Sequence, residues 1–149
     1  NNWKGKGYFD HVGLINNPKN DGQSHKKLAY YTYKKMVEVL DGSDWNNIQT
    51  IQESDGIYIY KFTKPFDSAQ GEQGKPIWVA WNDNGAERQI TISAIGANQV
   101  KITEAVSRCE SGREVRDYRT VFKIEPKAVE DDKIIIVLQD SPIFVEAEY

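Results

Sequence analysis

Two kinds of side chain in this sequence could act on a ligand: paired carboxylates and flat aromatic rings. Glycosidic-bond hydrolysis needs two carboxyl groups roughly 5 to 9.5 Å apart across a cleft. Glu53, Asp55, Glu104, Glu110 and Asp117 supply the acids. Each falls in a polar turn or on a solvated strand face, and none shares a motif with an aromatic cleft. No catalytic residue is therefore assigned, and the chain is read as non-enzymatic. The rings are more informative. Tyr58 and Tyr60 share one face of a strand with Phe62, because side chains alternate with period two. Trp78 and Trp81 stand three apart, so they point to opposite faces. Exposed Trp and Tyr rings stack on the C–H faces of sugars, which makes Trp81, Trp78, Tyr58 and Tyr60 candidate carbohydrate-binding residues. The competing role is core packing, where aromatics dominate. Trp81 is the better exposed candidate because it adjoins the turn Asn82-Asp83-Asn84-Gly85. Trp3 and Trp45 flank a helix and are expected to pack on it.

Other chemistries find little footing. His11 and His25 are too few and too separated for a metal site. Asp131-Asp132 and the Asp41/Asp44 pair lack the ligand density of a calcium loop and read as turn residues. Gly5 and Gly7 follow no strand, so a phosphate loop is unsupported. Neither a metal nor a cofactor is expected. Cys109 is the one cysteine, which rules out an internal disulfide and leaves a small buried apolar role. The net charge of −3 is scattered with no basic stripe, which argues against nucleic acid as a partner. The sequence has no apolar run of about 18 residues, the length of a membrane-spanning helix. The chain begins abruptly at Asn1-Asn2-Trp3, without a signal peptide, as a cut fragment or matured product would.

The elements that must position these residues are one helix and a series of strands. At 149 residues the chain is one domain by size. Residues 1–24 are loop-rich in Gly, Asn and Asp. Residues 25–41 read as a packing helix and residues 46–149 as a β-sandwich. Strands are expected at 48–52, 57–63, 77–81, 89–95, 100–106, 118–125, 133–138 and 143–147, each rich in β-branched or aromatic residues. Their spacing predicts a mainly β fold: an antiparallel two-sheet sandwich of about eight strands with one N-terminal helix packed on it. No βαβ rhythm supports a parallel sheet. Ile134 to Leu138 is apolar at every position, which predicts cover on both faces, with the helix as the second cover.

The helix has more apolar surface than its position requires. At about 100° per residue, Ala29, Tyr30, Tyr33, Met36, Val37 and Leu40 form the ordinary core-facing stripe. Leu28 and Val39 lie on another side with Thr32 beside them. Tyr31, Lys34, Lys35 and Glu38 form a wet strip. Ser24 is the expected N-cap and Gly42 the left-handed terminator. Leu28, Tyr31 and Val39 are accordingly the residues expected to pack against a second body, if the helix is wedged between two; the alternative is a helix lying in a groove of its own domain.

The segment HVGLINN…HKKLAYYTYKKMVEVLDGSDW resembles the end of a (β/α)8-barrel glycoside hydrolase. In that family a "GL" segment follows the last barrel strand, and a helix of the K-x-A-Y-Y-x-Y-K type closes the barrel and leads into a C-terminal β-sandwich. Gly13-Leu14-Ile15 and Lys27 to Lys34 match it. Gly74-Lys75-Pro76-Ile77-Trp78-Val79-Ala80-Trp81 is similar to the "GKP-(aromatic)-VAW" strand of such sandwiches, and Ser141-Pro142-Ile143-Phe144-Val145-Glu146 to their final strand. The resemblance implies a non-catalytic accessory domain whose partner is a catalytic barrel of the same parent chain, an extracellular or periplasmic location, and a polysaccharide as a further partner. The family's catalytic glutamates lie on earlier barrel strands absent from this sequence, so none is carried over. A purely structural domain and a small stand-alone glycan-acting hydrolase remain alternatives.

Overall fold

A computed structural model describes residues 14–15, 26–65, 74–108, 115 and 117–149. Within them the chain is mainly β: eight strands in two antiparallel sheets, and one α-helix, α1 (Leu28–Leu40). The strands are β1 (Gln49–Ser54), β2 (Ile57–Lys64), β3 (Lys75–Asn82), β4 (Arg88–Ser93), β5 (Gln99–Glu104), β6 (Ile124–Ala128), β7 (Lys133–Leu138) and β8 (Ile143–Glu148). Six form one sheet in the order β1-β2-β3-β8-β5-β6, and β4 pairs with β7 in the other.

Alternation builds the core between the sheets. Ile59, Trp78, Ala80, Val100 and Val145 from the large sheet meet Ile90, Ile92, Ile134, Ile136 and Leu138 from the small one. Full burial of such side chains contributes about 1.5–3 kcal/mol each. Tight turns set the register. Ser54 lies opposite Ile57, leaving Asp55 and Gly56 as a two-residue turn with φ of 55° and 70°, the left-handed pair that a hairpin favours. Asp131 and Asp132, at 50° and 58°, do the same between β6 and β7, where Glu130 bridges Lys133.

The helix ends as the sequence implies, with Gly42 at φ 77°. Its start differs: Lys27, in extended backbone, is the N-cap, while Ser24 lies outside the described residues. The larger correction concerns its faces. Tyr33, Met36 and Val37, read as core-facing, are 55%, 37% and 42% exposed. Tyr31, Val39 and Leu40 are the buried ones. The inward side is disguised by polar groups. Tyr31 Oη accepts from Val115 N–H, and Thr32 Oγ1 accepts from Ser107 N–H. The Lys35 side chain is only 12% exposed, its ammonium lying 5.4 Å and 5.1 Å from the Tyr118 and Phe122 ring centroids. A lysine buries its apolar stem and keeps its head on aromatic faces, so a letter that reads as wet marks an inward position.

Two strand expectations also change. Tyr118–Val121 is a 3-10 turn, because Asp117 accepts from Arg119 N–H and its carbonyl accepts from Thr120 Oγ1. Only β6 onward is strand, with Pro126 tolerated on the sheet edge. And β7 is covered on one face alone. Ile134, Ile136 and Leu138 are buried, while Ile135 and Val137 are 47% and 50% exposed. The helix packs on the other sheet, where Val39 and Leu40 meet Phe62, Ile77, Ala105 and Phe144.

Candidate aromatic face and helix surface

The outer face of the six-stranded sheet carries the candidate site. Cross-strand register places Tyr58 opposite Trp81 and Tyr60 opposite Val79, so these side chains rise from one face. Directly opposed side chains in an antiparallel pair lie close enough to stack. Trp81 stacks on Tyr58 with centroids 5.0 Å apart and planes 11° apart, and on Tyr60 at 5.5 Å and 23°. All three rings are half-buried. Trp78 points the other way and is 1% exposed, filling the core, so it is withdrawn as a sugar-contact candidate.

Acidic groups edge the stack. Tyr58 Oη donates to Asp83 Oδ2 at 3.2 Å. The nearby Asp83 charge, then that hydrogen bond, pushes the Tyr58 phenol above its ordinary pKa. Tyr60 is also raised, first by desolvation and then by the Glu53 carboxylate. Both phenols therefore stay neutral donors through the ordinary pH range. Asp83 is held in turn: its N–H donates to Gly56 O, and Asn84 donates through its side chain to Asp55 O. A Cβ at Gly56 would collide with the Asn84 and Asp83 side chains. Asn82 is buried and donates to the carbonyls of Leu138 and Gln139. The Asn-Asp-Asn-Gly segment thus locks the β1–β2 turn to the rim of the ring stack.

The arrangement differs from an open platform of coplanar rings. Trp81 spends ring surface on its tyrosine neighbours. The half-exposed rings stand beside two carboxylates, Asp83 and Glu53.

The helix surface is the second candidate. Leu28, Tyr31 and Val39, expected to meet a separate body, are not placed to do so. Tyr31 and Val39 are buried inside this chain, and half-buried Leu28 accepts from Ser107 Oγ. The apolar groups that remain open are Tyr33, Met36 and Val37 on α1 and Trp45 just after it, the last 58% exposed. Trp45 meets Phe62 edge-on at 5.5 Å yet stays largely uncovered. A sequence signal for this surface existed, since Tyr33, Met36 and Val37 share one helical stripe, but it pointed equally well inward.

The other acids are held in ion pairs and turns. Glu104 accepts from Nε and Nη2 of Arg108 and also meets Lys123, which reaches Glu125. Asp44 closes its own turn by accepting from the Asn47 side chain and then from Asn46 N–H, which lowers its pKa. Among the described residues no three His, Cys, Asp or Glu side chains gather as a metal site, and no helix is long and apolar enough to cross a membrane. His11, His25, Cys109, Glu110 and Trp3 lie outside the described residues. No protein-family model matches the chain, nor does any curated protein or solved structure.

Proposed function

We propose that this chain is a non-catalytic β-sandwich accessory domain of a glycoside hydrolase, buttressing a catalytic barrel through the outward side of α1 and offering the Tyr58–Trp81–Tyr60 ridge to polysaccharide. The observation that carries the reading is the helix. One side is already consumed by its own domain, while Tyr33, Met36 and Val37 stay open. Contiguous exposed apolar surface of this kind marks an interaction site. The resemblance at Lys27 to Lys34 supplies the partner's class, and an extracellular or periplasmic location follows from that resemblance.

Two experiments separate the parts. Replacing Tyr33, Met36 and Val37 together by Ser, Lys and Lys leaves the melting temperature of the chain within about 2 °C and lowers its binding of a hydrophobic dye; a loss of ten degrees would place the stripe inside the fold and end the docking reading. Affinity electrophoresis on cellulose, xylan, mannan and β-glucan retards the chain on at least one of them, and Trp81→Ala abolishes that retardation. Migration unaffected by all four removes the polysaccharide. The purely structural alternative is favoured by the burial of Trp78 and the mutual stacking of the other rings, and it survives that outcome.

A further inference from the structure

We propose that the seam between β6 and β7 is a docking groove for an extended peptide of another protein, which pairs with the free edge of β7. Strand polarity gives the direction of the backbone groups. Lys133 exchanges both of its backbone hydrogen bonds with Glu130, at 3.0 Å each way, so its N–H and C=O point away from β4. Backbone groups of neighbouring residues alternate sides along an antiparallel strand. Ile135 and Val137 therefore aim their N–H and C=O groups into the seam, where no partner meets them among the described residues. On the opposite wall, Lys123 O accepts from Glu104 N–H and Val129 N–H donates to Asn98 O. The same alternation turns Ile124, Pro126 and Ala128 of β6 toward the seam.

From the closed turn at Glu130–Lys133 the two strands part, one into each sheet. Between them opens a cavity of about 380 Å³ with Ile102, Ile136 and Ile143 in its lining, within the size range of ligand sites. Free strand edges identify the occupant. A sugar or small apolar molecule would leave the two N–H and two C=O groups of Ile135 and Val137 unmatched, whereas an added strand pairs with all four. A second copy of this sandwich is disfavoured. Pro126 offers no N–H, and Glu125 and Lys127 flank it, which are devices that guard a sheet edge; the bridged turn also leaves the seam narrow at that end. The guest's chemistry follows from the walls. Apolar side chains at alternate positions of the guest face Ile102, Ile136 and Ile143, on a wall that also carries Glu104, Lys123, Glu125 and Lys127. Among the described residues Lys127 and Lys133 make no salt bridge, and they share that end with the single carboxylate of Glu130, which favours an acidic residue at that end of the guest. This groove lies apart from the aromatic ridge and does not depend on the function proposed above.

The probe is a capped peptide, Asp-Thr-Val-Thr-Val-Thr, titrated into the ¹⁵N-labelled chain. Saturable shifts are expected at the Ile135 and Val137 amides. The same peptide N-methylated on alternate residues, in the register that faces β7, binds at least ~10-fold more weakly. Val137→Pro removes one seam-facing N–H at an edge position where proline is tolerated, and weakens binding to a similar degree. The N-methylated peptide tests the idea on the unaltered chain should that variant misfold. No shifts at about 1 mM peptide, equal binding of the N-methylated form, shifts confined to Tyr58 and Trp81, or sedimentation showing the seam closed by a second copy would each overturn the proposal.

Discussion

Under α1, the outer face of the six-stranded sheet is sealed: Phe62, Ile77 and Phe144 lie beneath Val39 and Leu40. Farther along β2 and β3, where that cover runs out beyond Tyr60, the face becomes the half-exposed stack of Tyr58, Tyr60 and Trp81. Strand alternation is identical in both halves, and both are aromatic. What separates them is the cover alone. An aromatic at an outward position therefore has no fixed meaning in a strand; an element from elsewhere in the chain decides whether it is core or surface.

The sharpest way to break that comparison uses two tryptophans on one strand. Trp78→Ala should cost about 3–5 kcal/mol, the range for emptying a buried aromatic site, with the urea midpoint falling at unchanged m-value. A cost near 1 kcal/mol would mean the inter-sheet core is not packed around Trp78. Next come two residues on one helix. Leu40→Ala should cost about 2–3 kcal/mol, while Val37→Ala should stay within about 0.5 kcal/mol, both read by chemical denaturation. Equal costs would erase the distinction between the two sides of α1. Trp81→Ala is smaller than the Trp78 change, about 2 kcal/mol, since each of its two stacked pairs contributes roughly 0.5–1.5 kcal/mol beyond its partial burial. The smallest effect is electrostatic. Asp83→Asn should bring the Tyr58 phenol back down toward its ordinary value, followed by tyrosinate absorbance. Because the folded-state pKa of Tyr58 is raised, whatever stability this adds is present at neutral pH and disappears as pH climbs through that raised value. A titration unchanged by Asp83→Asn would show that Asp83 does not govern the phenol.

The β-rich fold was legible because β-branched runs and turn residues are local signals. Asp55-Gly56 and Asn82 to Gly85 punctuate the strands where the sequence places them. The opposite facing of Trp78 and Trp81 follows from parity alone. The orientation of α1 was not legible, because hydrophobicity is a property of letters and burial a property of neighbours. Tyr31, Thr32 and Lys35 find partners in Val115, Ser107, Tyr118 and Phe122, residues far along the chain. Likewise Ile134 to Leu138 read as doubly covered because its letters are uniformly apolar, yet two of the five, Ile135 and Val137, have no cover. Tyr118 to Phe122 shows the reverse failure: an alternating pattern lost to a local Asp117 turn. Of the site, the individual rings could be named in advance. That Trp81 would spend its surface on Tyr58 and Tyr60 could not, since register is needed to put them opposite one another.

The interlock of Asp55, Gly56, Asp83 and Asn84 has a thermodynamic consequence for the ridge beside it. Tyr58 is tethered at its hydroxyl and braced by Trp81, and its tether belongs to a turn pinned to a second turn. Rotamer freedom at these rings has been surrendered during folding. Immobilising such a side chain on association ordinarily costs about 0.5–1.5 kcal/mol, and here a newcomer would be spared that loss. Weak contacts across a small area can then suffice for recognition, with fast arrival, fast departure and little adjustment of the surface to its guest.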